Sequence, residues 1–120
     1  MKKILIVDDD KDILTIVEML LTAHNYQVHT VSDASDILEQ VISFCPKIIL
    51  MDVNMGNHDG REICKLLKAD LGVKHIPVIL FSAMQNLGET HRECEATDFI
   101  SKPFDSVELI KILEKHLMLN

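Results

Sequence analysis

Apolar residues along the chain fall into two alternating patterns, short continuous runs and longer runs with helical spacing. Continuous runs at residues 4–7, 48–51 and 77–81 predict strands, and so do the alternating, β-branched segment 26–31 and the short segment 98–100. Apolar positions spaced three and four apart predict helices around residues 13–21, 37–42, 63–67 and 107–117, and a more polar helix around 87–95. Five strands that alternate with five helices indicate a parallel sheet.

Three of these strands are continuous apolar runs, and such runs are typical of strands that are covered on both faces. Right-handed crossovers leave few topologies for this element order. We therefore predict an α/β fold, a flavodoxin-like doubly wound sheet of five parallel strands in the order 2-1-3-4-5, with helices on both faces. Its core should be aliphatic, because the 120-residue chain has no Trp and only 4% aromatic residues.

The net charge of −7 argues against a surface that binds nucleic acid or anionic membranes. No apolar run approaches the roughly 20 residues of a membrane-spanning helix, and Asp8 ends the first run too early for a signal peptide. Three scattered cysteines, Cys45, Cys64 and Cys94, indicate a reduced, cytoplasmic protein. Each cysteine is expected to be buried or half-buried.

Polar residues collect where the predicted strands end. In a doubly wound sheet, ligands bind at the carboxyl ends of the strands, near the switch point between strands 1 and 3. The residues at these ends are Asp8, Asp9 and Asp10 after strand 1, Asp52 after strand 3, Ser82 after strand 4 and Lys102 after strand 5. Of the aspartates in the first group, Asp10 is the better candidate for a helix N-cap.

Clustered carboxylates repel one another unless a cation neutralises them. Oxygen ligands suit Mg²⁺, with Mn²⁺ as a possible substitute. A metal ion, an ammonium group and a hydroxyl together hold a phosphoryl group and spread its charge. Asp52 is then the candidate nucleophile, because carboxylates form aspartyl phosphates.

With these residues in place, the chain resembles the receiver domain of two-component response regulators over essentially its whole length, residues 1–120. The matching segments are ILIVDDD, IILMDVNM, Asp59-Gly60, IPVILFSA and DFISKPF. Each segment alone is a weak signal, but their order and spacing are specific to the family.

The resemblance implies a role for each matching residue. Asp52 is the phosphoacceptor, and Asp8, Asp9, Asp52 and the backbone carbonyl of Asn54 bind Mg²⁺, with Asp8 acting through water. Lys102 pairs with Asp52 and then with the phosphoryl oxygens. The Ser82 hydroxyl and the Ala83 backbone N–H bind the phosphoryl group, and Phe99 is the aromatic switch residue. The Lys102–Pro103 peptide bond is expected to be cis.

The resemblance also implies a regulatory domain rather than an enzyme. Its partners would be a histidine kinase or a histidine phosphotransfer protein, and a downstream effector, with no direct binding to nucleic acid or membrane. Phosphorylation would change the face formed by the fourth helix, fifth strand and fifth helix, and this domain could form a phosphorylation-dependent homodimer.

The chain departs from the family pattern at three places. Gly56 stands where the family usually has Pro, so a more mobile loop is expected there. Glu95 takes a position that Gly usually holds. The segment 84–94 is about two residues shorter than usual, so the fourth helix is expected to be short or shifted.

Three other classes compete with this interpretation. Asp8 and Asp10 form the DxD of haloacid dehalogenase-type phosphatases, but Asp12 stands where that family has Thr or Val. An interaction module that is not phosphorylated usually lacks one of the acidic pair, the acceptor or the lysine. A flavodoxin needs a phosphate-binding loop after strand 1, where the aspartates would repel the flavin phosphate.

Overall fold

The computed structural model describes residues 2–55, 58–83, 92–102 and 105–118. Within these ranges the strands are β1 (Lys3–Val7), β2 (Gln27–Val31), β3 (Ile48–Asp52), β4 (Asn54–Met55), β5 (His58–Asp59), β6 (Val78–Ser82) and β7 (Asp98–Ser101). The α-helices are α1 (Lys11–Ala23), α2 (Ile37–Phe44), α3 (Gly60–Ala69) and α4 (Ser106–Met118). A short 3₁₀ helix, Ala34–Asp36, leads into α2.

Five strands form one parallel sheet in the order β2-β1-β3-β6-β7. Since β6 and β7 are the fourth and fifth strands of this sheet, the predicted order 2-1-3-4-5 is confirmed. The strands β4 and β5 form a separate antiparallel pair. In this pair His58 and Asp59 lie opposite Met55 and Asn54, directly before α3.

The sheet has a hydrophobic core on each face, because successive side chains of a strand point to opposite sides. Leu5, Val7, Ile49 and Met51 pack with residues of α2 and α3 on one face. The alternate strand residues pack with α1 and α4 on the other face, and they are Ile4, Ile6, Ile48, Leu50, Ile79 and Phe81. The sheet is therefore covered on both sides, as the continuous apolar runs predicted.

Aspartate side chains begin several helices. The carboxylate of Asp10 accepts hydrogen bonds from the backbone N–H groups of Asp12 and Ile13, so the N-cap prediction for α1 is confirmed. Asp33 caps the 3₁₀ helix through Ser35 N–H. Asp59 caps α3 by accepting from Arg61 N–H.

The structure differs from the sequence prediction at Cys45. Cys64 and Cys94 are buried as expected, but Cys45, which follows α2 in a left-handed conformation with φ of 54°, is exposed. The predicted fourth helix lies mostly outside the described residues, which resume at Arg92. Gly56, the segment 84–91 and the Lys102–Pro103 peptide bond also lie outside them, in whole or in part.

Candidate functional site

Three carboxylates meet at the carboxyl edge of the sheet. Asp8 and Asp9 directly follow β1 and Asp52 ends β3, and the two strands are paired neighbours. One oxygen from each carboxylate lies within 4.8 Å of the others. Asp8 is 1% exposed and Asp52 is 6% exposed, whereas Asp9 is open to solvent. The fold therefore concentrates negative charge at the predicted switch point.

Both carboxylate oxygens of Asp8 are engaged within the protein. Oδ1 accepts a hydrogen bond of 3.0 Å from the backbone N–H of Asp10. Oδ2 accepts one of 3.0 Å from the ammonium group of Lys102. The backbone N–H of Asp8 donates to Val31 of β2, so the whole residue is held at the sheet edge.

Lys102 reaches the acidic cluster from the end of β7. Its backbone N–H donates to the Ser82 carbonyl at 2.9 Å, and its Nζ lies 4.6 Å from the centroid of the Phe81 ring. The ammonium group lies 3.0 Å from Asp8 Oδ2 and 3.7 Å from Asp52 Oδ2. The family resemblance suggested a pair with Asp52, but the shorter contact in this structure is with Asp8.

The pKa of Asp52 is raised from its ordinary value to about 6. Burial is the largest cause, and the nearby Asp8 carboxylate adds to it. Lys102 and the backbone N–H groups of Val53 and Asn54 act in the opposite direction and do not fully compensate. The surroundings of Asp52 therefore stabilise its ionised form less well than water does.

Gly60 lets the chain after Asp52 pack closely beneath the site. Its N–H donates to the Val53 carbonyl at 2.7 Å. A Cβ at this position would collide with the backbone oxygen of Asp52 and lie 2.9 Å from Val53 Cα. Asp59-Gly60 belongs to the family pattern, and this close approach of the backbone gives the steric reason for the glycine.

The other predicted site residues lie on β4, β6 and β7 or directly after them. Ser82 ends β6 and is buried, and exposed Ala83 follows it. Asn54 is exposed in β4. Phe99 is half-buried in β7, opposite Leu80 of β6, and packs against the core that α2 and α3 cover.

A partly buried hydrogen-bonded contact between β7 and α4 was missed from the sequence. His116 Nε2 lies 2.7 Å from Asp98 Oδ2, and Lys115 Nζ lies 3.6 Å from the same oxygen. Burial alone would raise the pKa of Asp98, but the hydrogen bonds from His116 and from Phe99 N–H outweigh it and lower that pKa. The signal was the position of His116 three residues after Leu113, on the buried stripe of α4.

Comparison with known proteins agrees with this geometry. The sequence model described as "Response regulator receiver domain" matches residues 4–114. The match covers most of the chain and includes Asp8, Asp9, Asp52, Ser82 and Lys102. This protein therefore belongs to the family of response regulator receiver domains, which are regulatory domains of two-component systems.

Individual relatives agree with the family assignment. Response regulator PleD of Caulobacter vibrioides is 39% identical over 109 residues, which are 89% of this chain and 24% of PleD. The chain thus spans about a quarter of the length of the curated relatives that it matches.

Solved structures share the fold over nearly their whole length. Chemotaxis response regulator CheY4 of Vibrio cholerae has a TM-score of 0.88 and 27% identity, with 97% of this chain and 98% of that chain covered. The receiver domain of the sensor histidine kinase PA1611 of Pseudomonas aeruginosa has a TM-score of 0.85 and 27% identity, with 95% of each chain covered. The latter structure has a magnesium ion coordinated in its active site cleft.

Among the helices that the structure describes, none combines the length and the apolar character needed to cross a membrane.

Proposed function

We propose that this domain is a phosphorylation switch in which Asp52 accepts a phosphoryl group from a phosphohistidine. The donor is a histidine kinase or a histidine phosphotransfer protein. The observation that supports this best is the setting of Asp52, a buried carboxylate between Asp8 and Lys102 whose pKa is raised to about 6. The raised pKa means that the ionised form, which is the nucleophile, is stabilised less here than in water, so added positive charge would favour it.

The charge of the cluster fits a divalent cation. Three ionised carboxylates carry three negative charges, and Lys102 returns one positive charge, which leaves two to be balanced. All the donors are oxygen atoms, which favours Mg²⁺, or Mn²⁺ in its place. Since both oxygens of Asp8 are already engaged, Asp9, Asp52 and the Asn54 carbonyl would be direct ligands, and Asp8 would act through water.

In the transfer, an Asp52 oxygen forms a bond to phosphorus as the bond from phosphorus to the histidine nitrogen breaks. The imidazole leaves with the electron pair of that bond and takes up a proton. Bound Mg²⁺ would supply charge neutralisation for the phosphoryl oxygens. Lys102, the Ser82 hydroxyl and the Ala83 N–H hold the remaining oxygens in place.

The aspartyl phosphate then biases two conformations of the domain. The phosphoryl group carries a charge of about −1.5 to −2 at pH 7, in place of the single negative charge of the Asp52 carboxylate. The phosphoryl group draws Ser82 inward, Phe99 turns into the space that is freed, and the face around β7 and α4 changes. An effector, or a second copy of the domain, would recognise this face. The domain itself occupies residues 1–120 and acts in the cytoplasm as a regulator, not as an enzyme with turnover.

Labelling by a small phosphoryl donor tests this proposal. Acetyl phosphate with Mg²⁺ should phosphorylate the wild-type domain stoichiometrically and only in the presence of the metal. Asp52→Asn should abolish labelling, because the amide is not a nucleophile at this position. Asp12→Asn, the same chemical change at an exposed position of α1, should label like the wild type. Full labelling of Asp52→Asn would show that the assignment of Asp52 is wrong.

The same experiment separates the domain from a haloacid dehalogenase-type phosphatase. A receiver domain takes up about one phosphoryl group per molecule and hydrolyses it slowly. A phosphatase would instead turn over small phosphate esters many times, with Asp8 as nucleophile.

A further inference from the structure

A cavity of about 370 Å³ opens at the edge of the sheet opposite the acidic cluster. It lies between the end of α2 and the loop that joins α3 to β6. Val41, Val73 and Ile76 line it and are at most 6% exposed. The five residues of β3 separate this cavity from Asp52, a distance of roughly 16 Å at about 3.3 Å per residue. The cavity is therefore distinct from the proposed phosphorylation site.

The charge around the cavity is opposite in sign to that of the whole protein. The chain carries a net charge of −7. Yet among the described residues that line the cavity there is no Asp or Glu, while Lys47 and His75 are both present and both exposed. An apolar interior next to a cationic side chain and an imidazole suits a ligand with an apolar body and an anionic end.

The loop on one side of the cavity is held by its own hydrogen bonds. The buried part of Lys68 brings its Nζ to the carbonyl of Ile76 at 2.7 Å and to that of Lys74 at 3.2 Å. The carboxylate of Asp70 accepts from Gly72 N–H at 2.8 Å, so the acidic group closest in sequence is committed within the loop. The cavity wall is thus built without a ligand, as most small-molecule sites are.

We propose that this cavity binds a small organic acid with an apolar body, such as a medium-chain fatty acid. Its volume falls in the range of about 300–1,000 Å³ that is typical of ligand sites. The hydrocarbon packs against Val41, Val73 and Ile76, and the carboxylate pairs with Lys47 and accepts a hydrogen bond from His75. This inference does not depend on the phosphorylation of Asp52.

Cys45 provides a reporter inside the proposed site. It lines the cavity and is exposed, whereas Cys64 and Cys94 are buried. A maleimide added to the folded protein should therefore react at Cys45, and a ligand in the cavity should slow that reaction.

Decanoate is the probe for this test. It should slow the alkylation of Cys45 in a saturable manner, and decanol should protect much more weakly because it lacks the charge. Decyltrimethylammonium, with the same chain and a positive end, should not protect. No protection at any decanoate concentration below its micelle threshold, or equal protection by decanol, would overturn the proposal.

Charge variants at the rim make the test specific. Lys47→Glu should weaken protection by decanoate roughly three- to tenfold, since a single exposed charge contributes modestly. Lys47→Arg should retain it. Lys111→Glu, the same change at an exposed position of α4, should behave like the wild type, and so should Asp52→Asn. Unchanged protection in Lys47→Glu would contradict the pairing of the decanoate carboxylate with Lys47. Lost protection in Lys111→Glu would also contradict it, because the effect would then depend only on the net charge of the protein.

Discussion

The ionised carboxylate of Asp52, which the proposed function requires, lowers the stability of the folded protein. This carboxylate is 6% exposed and lies beside another buried carboxylate, so ionisation is less favourable in the folded protein than in the unfolded chain. The folded protein therefore holds this proton more tightly than the unfolded chain does. The stability associated with it is fully present below the unfolded pKa, near 3.8, and is lost as pH rises through about 6.

This effect predicts the behaviour of Asp52→Asn in the absence of divalent metal. At pH 7 the variant should be more stable than the wild type by about 1–2 kcal/mol, because the amide never ionises. The difference should shrink as pH falls from 6 to 4. Urea unfolding across this range in a chelator measures it. A variant that is less stable than the wild type at pH 7 would show that the charge of Asp52 is already compensated without a metal.

The site residues could be predicted from the sequence, but some of their contacts and exposures could not. The acidic pair, Asp52 and the lysine were found because strand ends of a parallel sheet share one edge. The shorter Lys102–Asp8 contact could not be found, since it depends on side-chain conformations from strands distant in sequence. Cys45 was expected to be buried or half-buried but is exposed. It has a left-handed backbone conformation at the end of α2, which the amino-acid composition does not predict.

At the scale of elements, the His116–Asp98 pair ties α4 to the first residue of β7. The contact lies at the opposite end of β7 from Lys102, and Phe99 N–H donates to the same carboxylate. The backbone of the proposed switch residue is therefore held at the start of its strand by Asp98, which is hydrogen-bonded to α4. A conformational change of Phe99 would have to occur while its backbone keeps this hydrogen bond or would have to break it.

Replacing Asp98 with Asn should destabilise the domain by about 1–2 kcal/mol at pH 7, as expected for loss of charged hydrogen bonds. The lowered pKa of Asp98 means that its contribution is present above the unfolded pKa and lost as pH falls through the lower folded value. The gap between wild type and variant should thus narrow only in acid, below about pH 4. Thermal unfolding over this range checks it, and a gap that is constant down to pH 2 would contradict the pair.

Elements were predicted well where the pattern was continuous. All five strands of the parallel sheet were predicted: β1, β3 and β6 are continuous runs that are buried almost throughout, whereas the edge strands β2 and β7 are only partly buried. The burial of helix residues was harder to predict, because a local pattern does not show where the neighbouring element ends. Ile42, Leu66 and Val107 follow the apolar spacing of a helix but are more than half exposed. Glu95 replaces a usual glycine at φ of 64°, a strain that only the structure reveals.

At the scale of the whole molecule, the edges where the parallel strands end and where they begin differ in charge. One edge gathers three carboxylates with one ammonium, and the other presents Lys47 and His75 around an apolar cavity. The topology creates this polarity because parallel strands all start at one edge and end at the other.

Binding of Mg²⁺ should therefore stabilise the whole domain. Saturation at a hundred times the dissociation constant gives about 2.7 kcal/mol by mass action, which a thermal shift measures directly. The shift should be larger at pH 8 than at pH 5, since protonated Asp52 is a poor ligand. Asp9→Asn should abolish most of it, while Asp12→Asn should keep it. An equal shift in Asp9→Asn would contradict the proposed metal ligands.

The central claim is that Asp52 carries the phosphoryl group, and the site of modification tests it most directly. After reaction with acetyl phosphate and Mg²⁺, borohydride reduces an aspartyl phosphate to homoserine, which mass spectrometry of peptides then locates. We predict homoserine at position 52 and at no other aspartate. Homoserine at position 8 or 9, or its absence from a stoichiometrically labelled protein, would contradict the account.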